Sequence, residues 1–324
     1  MSFQWQYGAP QAEGLNANLL ASLDDYLRVK RYRLVNSVLV VKNGCLVYER
    51  YFNKFTEDSK NPMKSIWKSI LAILTGICLE KGWIESLDEP IANYLPEFRQ
   101  GIHPYHHIIS IRHLLTMSSG IYWNGGVHYH CPMVAQMMRT RDWIAHLADT
   151  AVSDYPGTRH LYKEWDVLLL SAVIGKAYGK PSFDLCEKFL FAPLSISSGR
   201  WAESPCGVSY TVMKGEEQSD LTARDLAKLG LLVLDNGVVG DERIVSEAYL
   251  KEMVTPGTAN ESYGYLWWIF KDSYGCRGFG GQEINVLPYA NMVTVIQATP
   301  TPSNKAYGDI HEEILKKSII GIPH

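Results

Sequence analysis

The stretch "KSIWKSILAILTGICLEKGW", residues 64–83, sets a serine and a lysine three positions apart, Ser65 and Lys68, at the head of an apolar run. Residues 69–79 ("SILAILTGICL") are apolar nearly all round, the pattern of a helix buried on every side, and Gly82 supplies its stop. With a helix start near Ser65, that residue and Lys68 share a face one turn apart. Two readings follow. In one, Ser65 caps the helix and Lys68 is a solvated charge. In the other, the Ser65 hydroxyl and its own N–H lie at the positive end of a helix dipole, where charge developing as alkoxide or oxyanion is stabilised. Apolar neighbours and the same positive end would then disfavour the ammonium form of Lys68, and a neutral amine is what serine deprotonation needs. A lysine leading into a buried helix is costly without partners, which tilts the balance toward the second reading. The pattern S-x-x-K arises by chance in a chain of this composition, so the decision rests on the surrounding sequence.

Upstream, "GLNANLLASLDDYLRVKRY" has apolar residues at helical spacing and predicts one amphipathic helix. "VNSVLVVKNGCLVYERYF" places two β-branched runs about Asn43-Gly44, a strong hairpin signal. Downstream, residues 131–195 alternate helical patterns with turns, among them "MVAQMMRTRDWIAHLADT" and "WDVLLLSAVIGKAYGK". "TARDLAKLGLLVLDNG" opens a further helix, with Thr222 as cap and Asp225 in its first turn. "YGYLWWIF", "GCRGFGGQEINVLP" and "NMVTVIQAT" read as strands, and "AYGDIHEEILKKSII" as a closing helix. Strands at both ends with helices between predict an α+β fold: an antiparallel sheet built from both termini, flanked by helices, with an inserted mainly helical domain. The sheet domain is assigned to residues 1–82 and 216–324 and the insertion to 83–215.

The 324 residues are enough for a sizeable core, and a charged fraction of 20% with net charge −3 gives no reason to expect nucleic acid or an anionic membrane as partner. No run reaches the roughly eighteen apolar residues of a membrane helix, and "MSFQWQYGAPQAEG" lacks the features of a secretory signal. Six cysteines, widely spread and without C-x-x-C, read as reduced thiols in a cytoplasmic protein. Oligomeric state is not legible at this level.

Four landmarks recur in a familiar order: Ser65-Ile-Trp-Lys68, then "IRHLLTMSSGIYW", then Tyr162 ahead of "VLLLSAVIGKAYGKP", then "RGFGGQEINVLP". In this the chain resembles the penicillin-binding-protein-like serine hydrolases, which include class C β-lactamases, D-aminopeptidases, family VIII-type esterases and 6-aminohexanoate-dimer hydrolases. The resemblance covers roughly residues 14–320. It implies a β-lactamase/transpeptidase-like fold with the active site in the cleft between sheet and helical domains. It implies Ser65 as acylated nucleophile, Lys68 as proton acceptor, and Tyr162 as the phenol relaying a proton to the leaving group. The oxyanion donors would be the N–H groups of Ser65 and Phe279, with Gly280 the neighbouring candidate. Glycines at 278, 280 and 281 would let a substrate lie close against the strand.

Two motifs depart from the family. Its tyrosine motif reads Y-S-N or Y-A-N, whereas here it is Tyr162-Lys163-Glu164. An ionised glutamate accepts hydrogen bonds but donates none, so Glu164 is left to bind a cationic substrate group, to pair with Lys68, or to face solvent. The K-T-G triplet is absent: Cys276-Arg277-Gly278 offers no lysine, and Arg277 can point to either side of its strand. The loss of that lysine argues against efficient β-lactam turnover and D-Ala-D-Ala carboxypeptidase activity. Tyr122, Trp123 and Tyr129 form either a packed aromatic cluster or a pocket for an acyl group or ring. The histidines at 103, 106 and 107 and at 128 and 130 lack a partner at zinc spacing and read as surface or pocket residues, not a metal site. Asp166 reads as a helix-start charge offsetting the dipole. The expectation is a serine hydrolase acting on a small ester or amide without cofactor. An acyltransferase using the same acyl-enzyme, and a catalytically silent binding or assembly protein, are the alternatives.

Overall fold

The computed structural model describes residues 3–99, 103–125, 131–211, 220–301 and 306–318. Its main sheet uses both ends of the chain. The strands are β1 (Gln6–Tyr7), β2 (Val35–Lys42), β3 (Cys45–Tyr51), β4 (Trp268–Ile269), β5 (Tyr274–Gly278), β6 (Gln282–Leu287) and β7 (Met292–Ala298). They lie in the order β1-β3-β2-β7-β6-β5-β4, and the two ends of the chain join where Leu39 of β2 pairs with Val295 of β7. All pairings are antiparallel except β1 with β3, a two-residue parallel addition at the edge that the sequence reading did not include. The β2–β3 turn is set by Asn43 and Gly44, whose φ of 50° and 78° are the two positive values a two-residue hairpin of this twist requires.

Side chains alternate across a strand, and both faces of this sheet are covered. Val38, Val40, Met292 and Ile296 pack with Leu20, Leu23 and Leu27 near the N-terminus and with Ile310 and Ile314 of the closing helix. Leu39, Val41, Ile284 and Val295 face the opposite way, into a larger core shared with the helices. That double burial is why β2 reads as a continuous apolar run instead of an alternating one.

Helix α1 (Ile66–Glu80) lies in the larger core with Ile66 through Cys78 all buried. α2 (Glu164–Tyr178) is likewise buried over Glu164–Ile174 and ends at Gly179, whose φ of 82° is the left-handed stop glycine tolerates best. α3 (Ala223–Leu234) begins with the expected Thr222 cap. The Asp225 N–H donates to Thr222 Oγ1 at 3.0 Å, and Asp225 Oδ2 accepts from the Thr222 N–H at 3.2 Å. α4 (Gly308–Ser318) closes the chain. One cluster of buried side chains runs from Leu39 through Trp165 to Val295, so the helical segment and the sheet share a core. The boundary expected at 215/216 lies outside the described residues.

Two expected elements differ. The N-terminal helix is broken into Ala17–Ala21 and Leu23–Leu27, because the Ser22 hydroxyl donates back to the Leu19 carbonyl at 2.7 Å and competes with the helix ladder. "YGYLWWIF" is strand only at Trp268–Ile269. Leu266 ahead of it takes a left-handed φ of 56°, and its N–H donates to the Leu115 carbonyl instead of a neighbouring strand.

Candidate active site

Ser65 stands at the cap of α1 with helical angles (φ −68°, ψ −2°), and its hydroxyl makes no capping bond. It is therefore turned elsewhere. Lys64 before it has φ of 51°, a left-handed conformation uncommon for a side-chain-bearing residue, and this makes the entry to the helix abrupt. The first amides of the helix are engaged in a tight turn: Ile66, Trp67 and Lys68 donate to the carbonyls of Met63, Lys64 and Ser65 at 3.2, 3.2 and 3.1 Å.

Lys68 is 1% exposed. Its Nζ donates to Ser65 Oγ at 3.2 Å and to Glu164 Oε1 at 2.8 Å, and lies 5.3 Å from the centre of the Tyr162 ring. The solvated-charge reading of Lys68 is thus overturned. Of the three options for Glu164, the structure takes the pairing with Lys68. Glu164 is the first residue of α2, buried, and among the described residues its Oε2 has no hydrogen-bond partner.

Tyr162 precedes α2 by two residues and is half-buried against Lys68 and Ser65. Burial pushes its phenol above the ordinary value of 10; the Lys68 charge and hydrogen bonds with Ser65 and Lys68 pull against it, and Glu164 adds to the rise. Two aromatic residues frame it. Trp268 stacks at 18° with ring centres 6.1 Å apart, and Tyr263 meets both rings edge-on. Sequence reasoning took "YGYLWWIF" as a strand and did not assign Tyr263 or Trp268 to the site. The signal was composition; the bend at Leu266 that brings Trp268 to Tyr162 leaves no mark a strand pattern would reveal.

A second buried ion pair lies beside the first. Lys163 Nζ is 3.4 Å from Asp166 Oδ2, both side chains within 1% exposure. Ser119 closes the group, its hydroxyl donating to Asp166 Oδ1 at 2.5 Å and its N–H to Oδ2 at 3.3 Å. Burial pushes the Asp166 carboxyl up and Lys163 offsets part of the rise. Asp166 does lie in the first turn of α2 as expected, but it also ties that turn to the segment around Ser119.

The third wall is the end of β5. A Cβ on Gly278 would stand 2.6 Å from the Met63 carbonyl and 3.1 Å from Lys64 Cβ, so glycine is what allows the strand to approach the turn before Ser65. Phe279 follows directly at that junction. The space beside Gly280 is filled by Pro300, whose Cα would be 2.5 Å from an added Cβ. At both positions the neighbour is the protein itself, a packing reason for glycine where close substrate approach was expected. Arg277, between Cys276 and Gly278, points the other way: its Nε lies 3.9 Å from Glu283 Oε2 and its guanidinium 4.6 Å over the Phe270 ring, beside α4. It is not brought to Ser65. Trp123 is buried edge-on against Trp165 at 4.8 Å, the packed alternative, while Tyr122 is exposed. Tyr129, His128 and His130 lie outside the described residues. His106 is buried with Nε2 3.0 Å from the Thr150 carbonyl, and burial holds it below the usual histidine range.

A hydroxyl, an amine and a phenol in mutual reach, beside the end of β5, is an arrangement suited to acyl transfer through a serine. Among the described residues no helix is long and apolar enough to cross a membrane, and all six cysteines are unpaired. Esterase EstB of Burkholderia gladioli is 30% identical over 208 residues, 57% of this chain and 51% of the esterase, so the match spans about half the length of that relative. The 6-aminohexanoate-dimer hydrolase of Paenarthrobacter ureafaciens is 21% identical over 308 residues, 86% of this chain and 76% of that enzyme. The solved structure of EstCE1, described as a hydrolase with promiscuous acyltransferase activity, is similar with a TM-score of 0.74 at 15% identity, covering 95% of this chain and 98% of its own; at that identity the likeness carries the fold alone. Residues 23–317 match the family model described as Beta-lactamase, and with the sheet, the helices and the order of landmarks agreeing, the chain belongs to the Beta-lactamase family.

Proposed function

We propose that this protein is a serine hydrolase that cleaves a small ester or amide through an acyl-serine intermediate. The observation that carries the reading is Lys68 Nζ at 3.2 Å from Ser65 Oγ in a buried position, with Tyr162 beside both. Ser65 attacks the carbonyl and its proton leaves toward Lys68. The oxyanion rests on the N–H groups of Ser65 and Phe279, at the junction that Gly278 permits. Tyr162 is held protonated by burial and serves as the donor on the leaving-group side. The reaction takes place in the cleft between the sheet and the helical segment, in the cytoplasm, and uses no cofactor. Esters are favoured over amides because their leaving groups need less protonation.

An acyltransferase is the second reading. The acyl-enzyme is the same and only the acceptor differs.

A fluorophosphonate probe tests the reading. Wild type is expected to label covalently, Ser65→Ala not at all, and Lys68→Ala about 10²–10⁴-fold more slowly. Folded wild type that fails to label supports the silent alternative, and a Lys68→Ala variant labelling at the wild-type rate removes Lys68 from the mechanism.

A further inference from the structure

Lys68 Nζ stands closer to Glu164 Oε1 than to Ser65 Oγ, at 2.8 Å against 3.2 Å. An ammonium paired with a carboxylate has three N–H bonds and no lone pair, so it cannot take the Ser65 proton unless it gives one up. Tyr162 is an unsuitable recipient, because burial keeps its phenol protonated well past neutral pH. Glu164 Oε1, a carboxylate oxygen 2.8 Å from Nζ, is an atom that can accept. Its sister oxygen, Oε2, is buried and has no hydrogen-bond partner among the described residues. Among the described residues the carboxylate is therefore held through Oε1, and the Nζ–H···Oε1 hydrogen bond is the line along which a proton can pass.

We propose that Glu164 is the terminal acceptor of the Ser65 proton, which reaches it through Lys68. The proposal rests on Ser65 being the nucleophile. As the Ser65 O–H bond breaks, a new Nζ–H bond forms; one of the original Nζ–H bonds breaks and an Oε1–H bond forms. The Ser65 oxygen uses its freed electron pair to bond the acyl carbon, and the carbonyl pair moves onto the oxyanion. Lys68 is an ammonium before and after. The negative charge moves from Glu164 to the oxyanion; when Tyr162 gives its proton to the departing group, the proton held on Glu164 returns through Lys68 to the Tyr162 oxygen. Asparagine, the residue of the family's tyrosine motif at this place, could not do this, so Glu164 gives this chain a base the motif lacks. Glu164 acts through Lys68 and is a positioning residue in that sense.

The other titratable groups around the pair are accounted for. Burial holds Tyr263 and Cys276 protonated, and Lys163 and Asp166 compensate each other.

The test follows fluorophosphonate labelling of Ser65 as a function of pH in wild type, Glu164→Gln and Glu164→Asp. Glu164→Gln is expected to label about 10²–10³-fold more slowly near neutrality, and the deficit should shrink about tenfold per pH unit as Lys68 loses its proton to solvent instead. Glu164→Asp should keep the wild-type pH profile at reduced rate. A Gln variant labelling at the wild-type rate, or slowed by a factor that does not change with pH, overturns the relay while leaving Ser65 as nucleophile; failure of wild type to label removes both. Should the Gln variant not fold, a proton inventory of wild-type labelling in mixed light and heavy water decides: two protons in flight give a curved plot, and a straight line overturns the proposal.

Discussion

Lys163 and Asp166 are charges with almost no access to water, and each is tolerated because of the other. Asp166→Ala would strand the Lys163 ammonium and deprive Ser119 of its acceptor, at an expected cost of about 3–5 kcal/mol. Chemical denaturation should show this as a large fall in midpoint. The double variant Lys163→Met/Asp166→Leu should lie much closer to wild type, because two neutral side chains leave no buried charge unpaired. A single variant as stable as wild type would mean that the pair is solvated. At this scale the sequence was readable where chemistry follows spacing along one helix, as for Ser65 and Lys68. It was not readable where partners are distant: Glu164 lies 96 positions from Lys68, and three fates for it were equally compatible with the residues alone. Arg277 shows the same limit, since strand alternation gives two faces and only the packing of α4 and Phe270 picks one.

Helix α1 is legible almost to its ends, because a run apolar on all sides followed by glycine has few other uses. What the sequence hid is how tightly its neighbours fit. A Cβ on Gly76 would stand 2.5 Å from the Tyr249 ring and 2.7 Å from Val245 Cγ1. The Tyr249 hydroxyl donates to the Ala72 carbonyl at 2.6 Å, so the ring cannot swing aside without losing that bond. Gly76→Ala gains about 1 kcal/mol in helix propensity. Overpacking costs about 1–3 kcal/mol, and the strained hydroxyl bond about another 1. A net loss is expected, seen as a Tm lower by several degrees. A raised Tm would show that the ring relaxes freely. The broken N-terminal helix and the bend at Leu266 escaped prediction because each depends on one hydrogen bond that outcompetes an otherwise regular pattern, local from Ser22 to Leu19 and distant from Leu266 to Leu115.

For the whole molecule, the architecture was legible because the strand-like segments sit at the two ends of the chain, and the sheet is built from both. The same enclosure has a pH signature. Tyr162, Tyr249 and Tyr263 are all pushed above the ordinary value of 10 by burial. Below that value folded and unfolded chains both hold these protons, and the contribution to stability is complete. As pH rises past 10 the unfolded chain releases them first, the folded state binds more protons, and stability declines toward the folded values. Urea midpoints should therefore drop between pH about 9 and about 11; a midpoint that climbs over that interval contradicts the assignment. The meeting of β2 with β7 also has a consequence for biosynthesis. The ribosome delivers α1, with its largely apolar surface, when the strand that pairs with β2 to join the two ends of the sheet is still more than two hundred residues from being made. Until residue 292 emerges, the nascent protein must carry that greasy segment unprotected or shielded by a holdase, so its hazard lies in the interval of translation and not in the finished fold.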